Sequence, residues 1–161
     1  SIRVAQYSKL ISKALGDTEE EQKRVYYSAL LHDIGKIGIP DTIINKPAAL
    51  TAEEYDIVKT HPDIGSQILK SITSMKEISV GARWHHEHFD GSGYPDKLKG
   101  EDIPKIARII GVADAYDAMT SNRSYRKYLP QEKVRKEFDK DFTNDVITKI
   151  NFDCFIFSSL I

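Results

Sequence analysis

Residues 25–40 read VYYSALLHDIGKIGIP. Val25, Tyr26, Ala29, Leu30 and Leu31 recur at helical spacing, and the pattern stops at His32-Asp33. Gly35, Gly38 and Pro40 then break it into a tight loop, from which Lys36 can turn back toward the pair. Upstream, Thr18 followed by Glu21 is the capping-box pattern that opens this helix. The unit is an apolar helix that ends on an imidazole and a carboxylate, and the rest of the chain reads outward from it.

Helical patterns dominate on both sides. Residues 2–15 carry Val4, Ala5, Leu10, Ile11 and Leu15 as an apolar stripe that Gly16 terminates. Thr51 and Glu54 repeat the capping-box pattern. His61-Pro62 marks a boundary, because proline disfavours the helical conformation in the residue before it, and the helix resumes over residues 63–71. Further helices are predicted over 74–86, over about 104–120 and from Pro130, with a glycine- and proline-rich loop over 89–105. No alternating strand pairs and no internal repeat stand out. The expected fold is all-α, a single domain over residues 1–161 with roughly seven to nine helices.

Composition sets limits on function. The chain has 161 residues, 40% apolar and 29% charged, with a net charge of −1, so no global basic field points to polymeric nucleic acid. Cys154 is the single cysteine, which excludes an intramolecular disulfide and fits a reducing, cytoplasmic setting. No stretch approaches the ~18 consecutive apolar residues of a membrane span. The chain opens in what reads as mid-helix, so a fragment of a longer protein is expected.

Chemistry concentrates in few residues. The five histidines are His32, His61, His85, His86 and His88, each at a predicted helix end or in a loop. Imidazole is a common metal ligand, and a His/Asp set without cysteine favours iron, manganese or another divalent ion over structural zinc. Taken singly, His61 reads as a structural residue and His85-His86 as a surface cluster. Adjacent residues point about 100° apart on a helix, so that pair serves one site only near a helix end or with two metals to hold. Asp114 lies in a helix otherwise apolar at Ile106, Ile109, Ile110, Val112 and Ala113, and so needs a metal, a cation or a hydrogen-bond partner. Asp117, one turn later, supports the site or faces water. Arg123, Arg126 and Lys127 read as a solvated basic turn or, beside a metal site, as phosphate anchors.

Together these pieces resemble the HD-GYP family, a branch of the HD superfamily of metal-dependent phosphohydrolases. The resemblance runs through HDIGKIGIP at 32–40, Leu50-Thr51 with Glu53-Glu54, His61-Pro62 with Gly65, and His85-His86-Glu87. It continues through DGSGYP at 90–95, VADAYDAMTS at 112–121 and RSYR at 123–126. It covers residues 2–128, while 129–161 diverge; Phe138-Asp139 and Phe152-Asp153 are alternative counterparts of a family Phe-Asp, and the apolar tail after Asn151 closes the core or docks on a partner. The resemblance implies a compact HD-type helical bundle that hydrolyses cyclic di-GMP, or a mixed cyclic GMP-AMP, to the linear dinucleotide or GMP. It implies two or three divalent metal ions, iron or manganese, held by His32, Asp33, His61, His85, His86 and Asp114. Asp33 would bridge metals, Lys36 would steady the phosphate, Tyr94 would shape the substrate pocket, and Arg123 and Arg126 would grip phosphate or base. It also implies a ligand histidine one position before Ser1, a covalently linked sensor or receiver domain, and leaves a homodimer open. The competing readings are an HD-GYP-fold signalling or interaction module with little turnover and an HD phosphohydrolase acting on another nucleotide.

Overall fold

A computed structural model of the protein describes residues 1–72, 77–121, 132–134 and 136. Among these, every regular element is helical: α1 Ile2–Ala14, α2 Glu19–Leu31, α3 Asp41–Ile44, α4 Ala52–Val58, α5 His61–Ser71, α6 Ser79–Trp84 and α7 Lys105–Thr120. Two 3₁₀ turns, Ile34–Gly38 and Gly100–Asp102, complete the set. No helix of the described residues is long and apolar enough to cross a membrane.

Local sequence chemistry sets the helix starts. Both expected capping boxes form: Thr18 N–H donates to Glu21 Oε2 at 2.8 Å and Glu21 N–H to the Thr18 hydroxyl at 3.3 Å, and Thr51 and Glu54 do the same at 2.7 and 3.3 Å. The bundle is centred on α7, which packs on α1, α2 and α6, while α5 packs on α6 and on the Ile34–Gly38 turn. The core joins Val4, Ala5 and Ile11 of α1, Val25 and Ala29 of α2, and Ile109, Ile110, Val112, Ala113 and Tyr116 of α7, with Val134.

The structure departs from the sequence reading in four places. In α1, Leu10 is exposed and the inward face is Val4, Ala5, Ser8, Ile11 and Ser12. Both serines are fully buried, and Ser12 donates to Asp17 Oδ2 at 2.7 Å. The start of α5 lies at His61, two residues earlier than expected, with Pro62 inside its first turn. Proline is tolerated there because the N–H it lacks would have no partner within the helix. α6 is confined to Ser79–Trp84, so His85 and His86 follow the helix instead of ending it. The segment read as a plain loop after Asp33 folds as the 3₁₀ turn Ile34–Gly38, closed by Lys36 N–H to Asp33 O and Ile39 N–H to Lys36 O, both at 3.0 Å, and then as α3. Gly35 explains the tightness of that turn: a side chain there would overlap the His61 carbonyl oxygen and fall 2.5 Å from the Gly65 nitrogen.

Candidate metal centre

Four elements bring their ends to one place. His32 caps the C-terminus of α2, Asp33 precedes the 3₁₀ turn, His61 is the first residue of α5, and His85-His86 follow α6. Asp114 reaches in from the middle of α7. His32, His61 and His85 are buried, with 1%, 1% and 3% of their surface exposed, and Asp33, His86 and Asp114 are half-buried.

Hydrogen bonding to the backbone fixes which ring nitrogen each histidine offers. His32 Nδ1 lies 2.6 Å from Ala29 O and His61 Nδ1 2.7 Å from Val58 O; His85 Nδ1 lies 3.0 Å from Gly81 O. A carbonyl only accepts, so each Nδ1 carries a proton, and each Nε2 points inward, where loss of any proton it holds leaves a lone pair for a metal. His86 is held differently: its ring stacks on Tyr94 with centroids 4.7 Å apart and planes 20° from parallel.

The Asp33 carboxylate stands at the middle. Its Oδ2 is 3.4 Å from His32 Nε2 and 2.6 Å from Lys36 Nζ; its Oδ1 is 3.3 Å from His61 Nε2 and 3.9 Å from His85 Nε2. Asp33, His61, His85 and His86 each offer a ligand atom, all within 4.8 Å of one another. His32 flanks this group, with Nε2 3.7 Å from Asp114 Oδ1. Donors around one cation at bond lengths of ~2.1 Å sit about 3–4 Å apart, which matches these spacings. His32 Nε2 is buried without a hydrogen-bond partner, a costly state that a metal bond would relieve. The residues therefore fit a divalent ion held beside Asp33.

Electrostatics are consistent with a crowded ligand set. Burial penalises the Asp33 carboxylate, yet the His32 and His61 imidazoles facing it, with Lys36, hold it well below the usual range. Burial also opposes charge on His32, but Asp114 and Asp33 outweigh it and raise its pKa to about 9. Burial and the neighbouring His32 imidazole lower His85 to about 3, and burial with His85 lowers His86 as well. In metal-free protein at pH 7.5, His32 is then protonated while His85 and His86 are neutral. A metal needs all of them neutral, so its binding should release about one proton from His32, and affinity should weaken as pH falls below about 9. Calorimetry in buffers of different ionisation enthalpy checks this; equal heats in all of them contradict it.

The HD domain family profile matches residues 1–136. The chain belongs to the HD-domain family. With its Gly93-Tyr94-Pro95 sequence it is a member of the HD-GYP type. This HD domain is 45% identical over 128 residues to the "Cyclic di-GMP phosphodiesterase response regulator RpfG" of Xanthomonas campestris pv. campestris, covering 78% of this chain and 34% of that protein. It is 40% identical over 140 residues to the "3'3'-cGAMP-specific phosphodiesterase 2" of Vibrio cholerae, covering 84% of this chain and 26% of that one. The chain thus spans about a third or less of these curated relatives. Its fold is similar to that of Bd1817, an HDGYP protein of Bdellovibrio bacteriovorus, with a TM-score of 0.75 at 21% identity over 98% of this chain and 51% of that one.

Of the residues that the sequence points to, the HD domain brings His32, Asp33, Lys36, His61, His85, His86, Tyr94 and Asp114 together. His88 is exposed and pairs with Ser92 Oγ at 3.1 Å, outside the cluster. Asp117 turns away and receives Arg3 Nε at 2.7 Å. Arg123 and Arg126 lie outside the described residues, as do Phe138-Asp139, Phe152-Asp153 and the apolar tail.

One residue with a structural hold on the site carries no role in the sequence reading. Glu87 is buried, and its two oxygens accept Asp96 N–H at 2.7 Å and Leu98 N–H at 3.1 Å, folding the chain after Tyr94 back onto the histidine pair. The Asp96 side chain is clamped by Arg83 at 2.8 and 2.9 Å and by Trp84 Nε1 at 2.7 Å, and Arg83 also bonds Asp63 of α5. Gly93 lets this turn lie close, since a side chain there would fall 2.5 Å from His86 O. Glu87→Ala leaves two backbone donors without their acceptor and should lower unfolding free energy by about 1–3 kcal/mol in urea titrations. An unchanged midpoint would remove that role.

Proposed function

We propose that this domain is a metal-dependent phosphodiesterase that hydrolyses a cyclic dinucleotide, cyclic di-GMP foremost, to the linear dinucleotide or GMP. The observation that carries it is the Asp33 carboxylate, one oxygen toward His32 and the other toward His61 and His85, the arrangement of a carboxylate that bridges two cations. In this reading His32 and Asp114 would hold one ion, His61, His85 and His86 would hold the other, and Asp33 would serve both. Iron and manganese suit this nitrogen- and oxygen-only set. The names of the relatives supply the substrate class.

Divalent ions in such a site supply hydroxide near neutral pH and neutralise charge on the phosphodiester. The chain's own residues bind and orient. Lys36, now on Asp33 Oδ2, holds a phosphate oxygen by point charge. Tyr94, stacked on His86, offers an aromatic wall to the substrate, and burial raises its phenol pKa so that it stays a neutral hydrogen-bonding group. Arg123 and Arg126 are proposed phosphate or base anchors. Water adds to phosphorus, one P–O ester bond breaks, and the released ester oxygen takes up the proton. Residues 1–161 form one domain in this reading. The same reading includes a covalently linked sensor or receiver domain, in line with the relative named a response regulator, and a cytoplasmic setting.

The test is a turnover assay on anaerobically prepared protein loaded with iron or manganese, offered cyclic di-GMP and 3'3'-cGAMP in parallel. A linear dinucleotide or mononucleotide product that a chelator abolishes is the expected result. No product from either substrate with either metal contradicts the reading.

A further inference from the structure

A groove of about 570 Å³ lies beside the cluster, a size typical of small-ligand sites. Ile43 and Ile44 of α3, Pro47, Leu50 and Val58 of α4 line it, together with Lys36. Lys36 is the link: its stem lines the groove while its ammonium bonds Asp33 Oδ2 at 2.6 Å. The other lysine on the groove, Lys46, is neutralised by both oxygens of Glu54 at 2.8 and 2.6 Å. Both lysines of the lining are thus held by carboxylates, Lys36 at the cluster and Lys46 by Glu54 of α4, and the remainder is apolar. The cavities lined by Val25, Val80 and Ile109 and by Tyr7 and Tyr26 share no residue with the cluster.

We propose that this groove receives one purine base of the cyclic dinucleotide, an inference that rests on the substrate reading above. A phosphate held at the cluster beside Lys36 shares that side chain with the groove, so the nucleoside attached to it adjoins the lining. The faces of a purine ring lose their water against Ile44, Leu50 and Val58, while its polar edge keeps solvent on the side where Ile44 is 41% exposed. Binding energy gathered there is remote from the reacting phosphorus. It acts on how well the dinucleotide is held and not on the metal chemistry, so it distinguishes a nucleotide ester from a simple one.

The experiment compares the metal-loaded protein with its Ile44→Ser and Ile44→Ser/Leu50→Ser variants on two substrates, cyclic di-GMP and bis(p-nitrophenyl) phosphate. Ile44 is 41% exposed, so the single change tests the groove without threatening the fold. The ratio of kcat/KM for the cyclic dinucleotide to that for the simple ester should fall about tenfold in the double variant and by less in the single one, through KM. An unchanged ratio overturns the groove assignment, whether both activities hold or both fall together. The substrate reading is judged separately on the unmutated protein: if that cleaves the simple ester but no cyclic dinucleotide, the substrate reading is wrong and the groove has no base to receive.

Discussion

Asp33→Ala should lower turnover of the cyclic dinucleotide by at least about 10³-fold and should also reduce bound metal, because this carboxylate is the one group placed against both halves of the cluster. Its loss leaves His61 and His85 facing each other at 3.5 Å between their Nε2 atoms with no anion between them. It also removes one of the two carboxylates that raise the His32 pKa, so His32 should titrate lower than about 9 in the variant. The change deletes no core contact, and Lys36 is partly exposed and free to find water, so the helical circular dichroism should persist. The measurement is steady-state hydrolysis alongside metal content by mass spectrometry. A folded variant that keeps both the wild-type rate and its metal would remove Asp33 from the centre of the account.

Gly35→Ala is the largest expected stability effect. The added methyl would overlap the His61 carbonyl oxygen and press on the Gly65 nitrogen, both backbone atoms of α5 that cannot rotate aside. Either the Ile34–Gly38 turn or the start of α5 must move. We expect a loss of about 3 kcal/mol or more in urea unfolding, at the upper end for overpacked sites. The same shift displaces His61 relative to Asp33, now 3.3 Å apart, so metal affinity should fall with stability. Gly16→Ala is the contrasting control: nothing lies within 4 Å of a side chain there, and only the positive φ of 81° is strained. A Gly35→Ala protein as stable as the Gly16→Ala one would mean that the close crossing of turn and helix is not what holds the site together.

These two residues also mark how far the sequence can be read. His32-Asp33 is legible because an apolar helix stops there and glycines follow. Asp114 is legible because a carboxylate inside an apolar helix demands a partner. His85-His86 is legible as a pair that needs a helix end, and the structure ends α6 at Trp84, just before them. What stays hidden depends on pairings distant in sequence. Glu87 reads as a member of the His85-His86-Glu87 motif with no role of its own until the backbone N–H groups of Asp96 and Leu98 are seen to converge on it. Leu10 reads as part of the apolar stripe of α1, yet it is exposed and the inward face includes Ser8 and Ser12. Pro62 reads as a stop, although the first turn of a helix accepts it without losing a bond. Gly35 reads as a turn residue, and only the passage of α5 beside it gives it a steric role.

The central claim is that imidazoles and carboxylates from α2, α5, α7 and the segment after α6 share divalent ions around Asp33. Anomalous diffraction from crystals of the iron- or manganese-loaded protein tests it most directly. The account predicts two peaks, one on each side of the Asp33 carboxylate, each roughly 2.0–2.3 Å from an Asp33 oxygen and from the nearest histidine Nε2 atoms. Metal bound elsewhere on the chain, with the Nε2 atoms of His32, His61 and His85 still unligated, would contradict it.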